Sequence, residues 1–212
     1  MPEKAKPESP AGESTAALNK PLNFQLKNVD PVHPYLAGRG ITKETAEAFG
    51  VGYFSNRGSM SGRVVIPIHN ERGELVAYAG RAVDHSEPRY KLPAGFHKSL
   101  ELYNLHRAIG ESDTAGRVVV VEGFFDCMKV SQAGFPCVAL MGSSLSEAQE
   151  ELMVRHFKNA CLMLDGDEAG RRATDECLVR LGRRMWVRAV VLGDGKQPDL
   201  LTGEEIAGLL GK

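Results

Sequence analysis

Val118-Val119-Val120-Val121-Glu122-Gly123 is an apolar run closed by a carboxylate, and Cys161-Leu162-Met163-Leu164-Asp165-Gly166-Asp167 repeats the arrangement with two. Apolar runs this short and this β-rich read as strands buried on both faces, the pattern of a parallel sheet. In open α/β sheets, ligands bind just beyond the carboxyl ends of such strands. Three carboxylates gathered there repel one another unless a cation holds them together. Hard oxygen ligands with open positions suit Mg²⁺ or Mn²⁺, ions that position phosphates and stabilise charge in phosphoryl or nucleotidyl transfer. The two segments therefore point to metal-dependent chemistry on nucleic acid.

Outward from these segments, the chain from Arg117 alternates β-α-β-α-β. Gly123 leads into a helix over Phe124 to Ala133, Pro136 to Met141 is a second strand, and Gly142-Ser143-Ser144 turns into another helix. Ser144 and Glu147 stand at capping-box spacing there. The acid-tipped strand Cys161 to Leu164 precedes a helix from Glu168 to Arg183. A last strand, Trp186 to Leu192, runs into Gly193-Asp194-Gly195-Lys196-Gln197-Pro198-Asp199. Such alternation implies a mainly parallel sheet with helices on both faces.

Upstream the pattern differs. Thr42 is an N-cap and Gly50 a stop for a short helix, Lys43 to Phe49. Arg63 to Ile68 and Leu75 to Arg81 are β-rich runs joined by the hairpin signal Asn70-Glu71-Arg72-Gly73. Asp84 to Lys98 is loop-like, and Ser99 to Ile109 returns as a short helix or extended connector. Glu111 to Gly116 is polar and small enough to be a boundary. The expected organisation is a disordered tail over 1–20, rich in Pro, Glu, Lys, Ala and Ser, a basic mixed α+β subdomain over 21–112, and an α/β domain over 116–212.

Composition narrows the class. With 212 residues, 42% apolar and 25% charged, the chain has the make-up of an ordinary globular protein. No apolar run approaches the roughly 18 residues of a membrane span, and Met1 to Lys20 lacks the hydrophobic stretch of a secretory signal. Cys127, Cys137, Cys161 and Cys177 form no Cys-x-x-Cys pair and read as reduced core or near-core residues of a cytoplasmic protein. The histidines are scattered without metal-ligand spacing. The net charge of −1 hides an asymmetry: residues 33–110 carry ten basic and seven acidic side chains, residues 111–212 twelve and sixteen. A basic half joined to an acidic half suits a polyanion grip beside a cation site, although ordinary variation in surface charge also spans so small a difference.

Glu122-Gly123-Phe124-Phe125-Asp126 followed about forty residues later by Asp165-Gly166-Asp167-Glu168-Ala169-Gly170 resembles the TOPRIM signature of bacterial-type primases, topoisomerases, recombination proteins and small nucleases. The first module narrows the choice. His33-Pro34-Tyr35-Leu36-Ala37-Gly38-Arg39-Gly40-Ile41, Gly62 to Ile68, Tyr78-Ala79-Gly80-Arg81, Pro88-Arg89-Tyr90-Lys91, Phe96-His97-Lys98 and Leu102-Tyr103-Asn104 resemble the N-terminal part of the DnaG-type primase catalytic core.

That resemblance implies a divalent-metal-dependent synthase of short RNA primers on single-stranded DNA. Its partners are template, NTPs and nascent RNA, and a replicative helicase or a separate zinc-ribbon segment is a further one. It puts Glu122 where the family's general acid/base or metal-organising glutamate sits, and makes Asp165 and Asp167 the holders of Mg²⁺ or Mn²⁺. Asp199 adds a further carboxylate. Arg39, Arg63, Arg81, Arg89, Lys91 and Lys98 fall where the family presents basic side chains to template, RNA or nucleotide phosphate. Two departures stand out. The family usually carries Asp at the position of Gln197, and its zinc ribbon and helicase-binding domain have no counterpart, so a minimal core is expected, excised or free-standing from a mobile element or phage.

Structural readings compete with these. Glu122, Asp165 and Asp167 could serve as helix N-terminal caps, Asp126 as a cap or orienting group for the helix after Glu122, and Asp199 as an N-cap for Leu200 onward. Glu168 suits the site rim or an ordinary first helical turn. Trp186, Phe124 and Phe125 read as core. Lys98 is placed in a loop on which little packing depends. Two functional alternatives remain: a TOPRIM nuclease using the same acids, and a non-catalytic nucleic-acid-binding accessory protein.

Overall fold

The computed structural model describes residues 18–84, 86–112 and 114–211. Its first module opens with α1 (Pro34–Gly38) and α2 (Lys43–Phe49). Helix α2 starts where the Thr42 side chain accepts from the Thr45 N–H and stops at Gly50, whose φ of 66° reverses the chain. Strands β1 (Gly52–Phe54), β2 (Arg63–His69), β3 (Leu75–Ala82) and β4 (Tyr90–Lys91) pair antiparallel in that order. A 3₁₀ turn, Lys98–Leu100, and helix α3 (Leu105–Glu111) lead out of the module.

The second module is a four-stranded parallel sheet built from β5 (Arg117–Val121), β6 (Cys137–Ala139), β7 (Asn159–Leu162) and β8 (Trp186–Ala189), ordered β6-β5-β7-β8. The connections are α4 (Phe124–Gln132), α5 (Glu147–His156) and α6 (Glu168–Leu181), and a 3₁₀ turn, Pro198–Leu200, precedes α7 (Gly203–Leu210). The chain leaves β5 for one neighbour, then crosses back to β7 on the other side. The carboxyl ends of β5 and β7 therefore flank the point where strand order reverses, the place where such sheets bind ligands.

Strict alternation along the strands sorts the core. Val119, Val121, Cys137, Ala139 and Cys161 face α4, sharing one cluster with its Phe124, Phe125 and Met128, and that cluster continues into Val64, Ile66, Ile68, Ala77 and Ala79 of the first module. Val118, Val120, Val138, Ala160 and Leu162 face the other way, onto Leu105 and Ala108 of α3, Leu152 and Met153 of α5, and Cys177 and Leu181 of α6. Helices thus cover both faces, and the first of these clusters is shared by the two modules. The extended segment before α1 packs Leu22, Leu26 and Val29 on the outer face of the antiparallel sheet. All four cysteines are buried and free. Among the described residues, no helix is long and apolar enough to cross a membrane.

Several expectations are corrected. The cap of α5 is Ser146, not Ser144: its hydroxyl accepts from the Gln149 N–H and its own N–H donates to Gln149 Oε1, both at 3.0 Å. Leu145, 3% exposed, is drawn into the core first, so the chain turns into the helix two residues later than the spacing suggested. Trp186 is not core. It opens the edge strand β8 and is 59% exposed. Strand limits also move: β6 ends at Ala139 and β8 at Ala189, short of their apolar runs, and β7 spans Asn159–Leu162, two residues earlier than the expected Cys161 to Leu164. Most of the expected tail, residues 1–17, lies outside the described residues. Asn19 is anchored, accepting from the His97 N–H at 2.9 Å and donating to the Glu101 carboxylate at 3.0 Å.

Phe125 tests the shared core, being 1% exposed with its ring edge-on to Tyr35 at 6.0 Å. Phe125→Ala is expected to cost about 3–5 kcal/mol, lowering the urea midpoint equally by far-UV circular dichroism and by Trp186 fluorescence. Two separate transitions in the unsubstituted chain would show that the modules fold independently.

Candidate active site

Glu122 is the first residue past β5, and Asp165 and Asp167 follow β7. The Asp165 N–H donates to Glu122 Oε1 at 3.2 Å, tying the two strand ends together. Asp167 is the N-cap of α6, where its Oδ1 accepts from the Gly170 N–H at 2.8 Å. The capping reading therefore holds for one of its oxygens. The glycine at the end of Asp-x-Asp-x-x-Gly has a steric cause: a Cβ on Gly170 would sit 2.1 Å from the Asp165 carbonyl oxygen and 2.9 Å from Glu122 Oε1. Only a bare backbone lets the first turn of α6 come this close to both acids.

Two further carboxylates border this pair. Asp126, in the first turn of α4, accepts from the Gly123 N–H at 3.1 Å and the Asp199 N–H at 3.0 Å, so it caps its own helix and fastens the 3₁₀ turn after β8. Asp199 lies inside that turn, not at the cap of α7, which is Thr202. Its Oδ2 is ion-paired with the Arg39 guanidinium, which lies over the Phe125 ring at 4.8 Å. Gln197 Nε2 donates to Asp165 Oδ2 at 2.8 Å, a contact that no motif announced.

Like charges and burial raise the proton affinity of this set. Burial and the charges of Glu122, Asp167 and Asp199 push the Asp165 carboxyl up to about 7, against the pull of Gln197. Burial and the neighbouring Asp199 and Asp165 bring Asp126 to about 7. Glu122 is also raised, chiefly by burial and then by Asp167 and Asp126. Asp165 Oδ1 and Asp199 Oδ1 are buried with no hydrogen-bond partner. Crowded hard oxygens with empty lone pairs fit a divalent cation. Among the described residues, however, no three His, Cys, Asp or Glu side chains already stand as a ready ligand set.

The basic residues of the first module are more engaged than the sequence suggested. Arg39 caps the end of α1 and turns into the acids. Arg63 spends one terminal nitrogen on the carbonyls of Gly80, at 3.2 Å, and Pro88, at 2.8 Å. Arg81 is only 7% exposed and lies over the Tyr90 ring at 4.7 Å. Lys91 Nζ donates to the Ser59 carbonyl at 2.9 Å. Lys98 is not a spectator: it opens the 3₁₀ turn, and its Nζ reaches Met141 O at 2.8 Å. Arg89 is exposed. Glu168 pairs with Arg172 on the exposed face of α6.

Residues 119–201 match the Toprim-like family and residues 56–109 the N-terminal domain of the DNA primase catalytic core. The DNA primase of Pseudomonas aeruginosa is 30% identical over 214 residues, covering 81% of this chain and 32% of that protein. The chain spans about a third of the length of the curated relatives it matches. The Aquifex aeolicus primase, solved with its zinc-binding and RNA polymerase domains, superposes with a TM-score of 0.76 at 27% identity, covering 84% of this chain and 54% of that one. A DnaG primase catalytic domain solved bound to single-stranded DNA gives 0.73 at 26% identity, over 85% and 70%. The parallel sheet with its strand-end acids defines a TOPRIM protein. Joined to the preceding module in this order, it makes the chain a DnaG-type primase core.

A carboxyl raised to about 7 costs stability while ionised, and the cost fades as pH falls through 7 toward the ordinary carboxylate range. Asp165→Asn removes that charge and keeps an acceptor for Gln197. Without divalent ions it is expected to raise the melting temperature at pH 8 by about 2–4 °C, for relief on the order of 1 kcal/mol. At pH 5.5, where the unfolded carboxyl is still ionised, the gain should fall to about half. Equal gains at both pH values would mean that the charges are not in conflict.

Proposed function

We propose that the chain is a divalent-metal-dependent nucleotidyltransferase that makes short RNA primers on single-stranded DNA. The observation that carries the reading is the crowded acid set at the strand-order reversal, with Asp165 Oδ1 buried and unpartnered. Glu122, Asp165 and Asp167 would hold Mg²⁺ or Mn²⁺, with Asp199 as a further carboxylate. Such an ion neutralises phosphate charge and activates a hydroxyl for in-line attack. The protein's share is placement: the Asp165 N–H sets the Glu122 carboxylate, and the α6 cap sets Asp167.

Arg63, Arg81, Arg89, Lys91 and Lys98 are the grip for template, nascent RNA and NTP phosphate. The carbonyl anchors of Arg63, Lys91 and Lys98 leave donors to spare, since a guanidinium has five N–H groups and an ammonium three. Contacts of this type hold backbone phosphate without reading sequence. The relatives named as DNA primases and the neighbour solved with single-stranded DNA support this reading. A replicative helicase or a zinc-bearing segment would be a further partner. Gln197, a neutral group bonded to Asp165, favours the second reading of a nucleic-acid-binding accessory protein with little catalysis.

Incubation with single-stranded template, NTPs and Mg²⁺ or Mn²⁺ is expected to yield short oligoribonucleotides; template breakdown would indicate a nuclease, and mere retention an accessory protein. Asp167→Asn keeps a good helix cap while removing the charge, so it should lower synthesis by about a hundredfold or more and leave template binding intact. Arg89→Ala should reduce the magnitude of the log-affinity against log-salt slope by about 0.7 for a single strand. An unchanged slope would place the strand elsewhere.

A further inference from the structure

Two carboxylates of the site are half-satisfied in the same way. Asp165 gives Oδ2 to the Gln197 amide and Asp199 gives Oδ2 to the Arg39 guanidinium, while Oδ1 of each is buried with no partner. The difference between them is charge. Gln197 is a neutral donor that leaves the Asp165 charge in place, whereas Arg39 brings a full positive charge into contact with an Asp199 side chain that is 3% exposed. Arg39 also comes from the other module: it ends α1, and its guanidinium is laid over Phe125. Its Nε is buried without a hydrogen-bond partner, so the side chain is held chiefly by the ion pair and the ring beneath it.

We propose that Arg39 is an internal counter-ion that occupies the place of a cation at Asp199 and competes with a divalent ion for that carboxylate. This inference rests on the metal reading of the strand-end acids. Asp199 sits beside Asp126, which fastens the Asp199 N–H, and its charge bears on Asp165. Bound to Arg39, Asp199 is withheld from the set, in keeping with the absence of a ready ligand cluster among the described residues. An ion at the open Oδ1 would face the guanidinium charge held on Oδ2, and an ion that took both oxygens would displace Arg39 and break its tie between α1 and the 3₁₀ turn after β8. Ion loading and the contact between the modules are thereby coupled, and Arg39 acts as a positioning residue.

The test is Mn²⁺ affinity, measured by electron paramagnetic resonance on the nucleotide-free full chain, with melting curves confirming that each variant folds. Arg39→Gln, which removes the charge, is expected to bind Mn²⁺ about fivefold tighter or more, the usual lower bound for a coupled pair of sites. Arg39→Lys, which keeps the charge, should stay close to the unsubstituted chain. Unchanged or weaker binding by Arg39→Gln would overturn the inference. So would an equal gain in both variants, because the cause would then be lost stacking on Phe125 and not charge. Asp165→Asn separates the two levels of the argument. If it binds Mn²⁺ as tightly as the unsubstituted chain, the carboxylate reading falls and this inference with it. If it binds more weakly while Arg39→Gln does not bind more tightly, only the inference falls.

Discussion

The conflict among the strand-end carboxylates organises the structure around it. Acids at this spacing in half-buried surroundings would drive the strand ends apart, since burial weakens the screening that water provides. They stay together because neighbouring groups donate to them: the N–H groups of Gly123, Asp165, Gly170 and Asp199, the Gln197 amide and the Arg39 guanidinium. Three of these, from Gly123, Gly170 and Asp199, are backbone groups at the start of a helix or turn, where N–H groups have no partner within the helix. The same arrangement places negative charge at helix N-termini, where the helix dipole favours it.

Helix α4 is the joint through which this site depends on the rest of the fold. Its first turn carries Asp126 to the acids and Phe124 and Phe125 to the shared core. The first module therefore does more than add basic surface. It supplies the apolar face against which α4 is seated, and the arginine that meets Asp199. A catalytic reading that treats the two modules as a grip and a metal site side by side misses this exchange of residues between them.

The basic side chains show where reading from sequence runs out. In the sequence Arg39, Arg63, Arg81, Lys91 and Lys98 look alike, yet in the fold one pairs with a carboxylate, three also donate to backbone carbonyls, and Arg81 is buried over an aromatic ring. Nothing local distinguishes these fates, because the partners of Arg39 and Lys98 lie far along the chain, at Asp199 and Met141. Trp186, expected in the core, lies exposed for a related reason. Its strand is at the sheet edge, and an edge position follows from strand order, not from the apolar run.

Features that depend on neighbours in the chain are legible without the fold. Alternating apolar residues set the strands, Thr42 and Gly50 set the limits of α2, and the acids at the ends of two apolar runs marked the site. Gly170 belongs with these, since its place in the motif follows from the tight turn into α6. How the acids are held is visible only in the folded chain: which oxygen Gln197 occupies, that Asp126 fastens the Asp199 turn, and that Arg39 crosses from the other module. The physical reason is that hydrogen bonds and ion pairs are short-ranged and directional, so they depend on where the fold brings distant segments, whereas strand and helix periodicity is written in the spacing of adjacent residues.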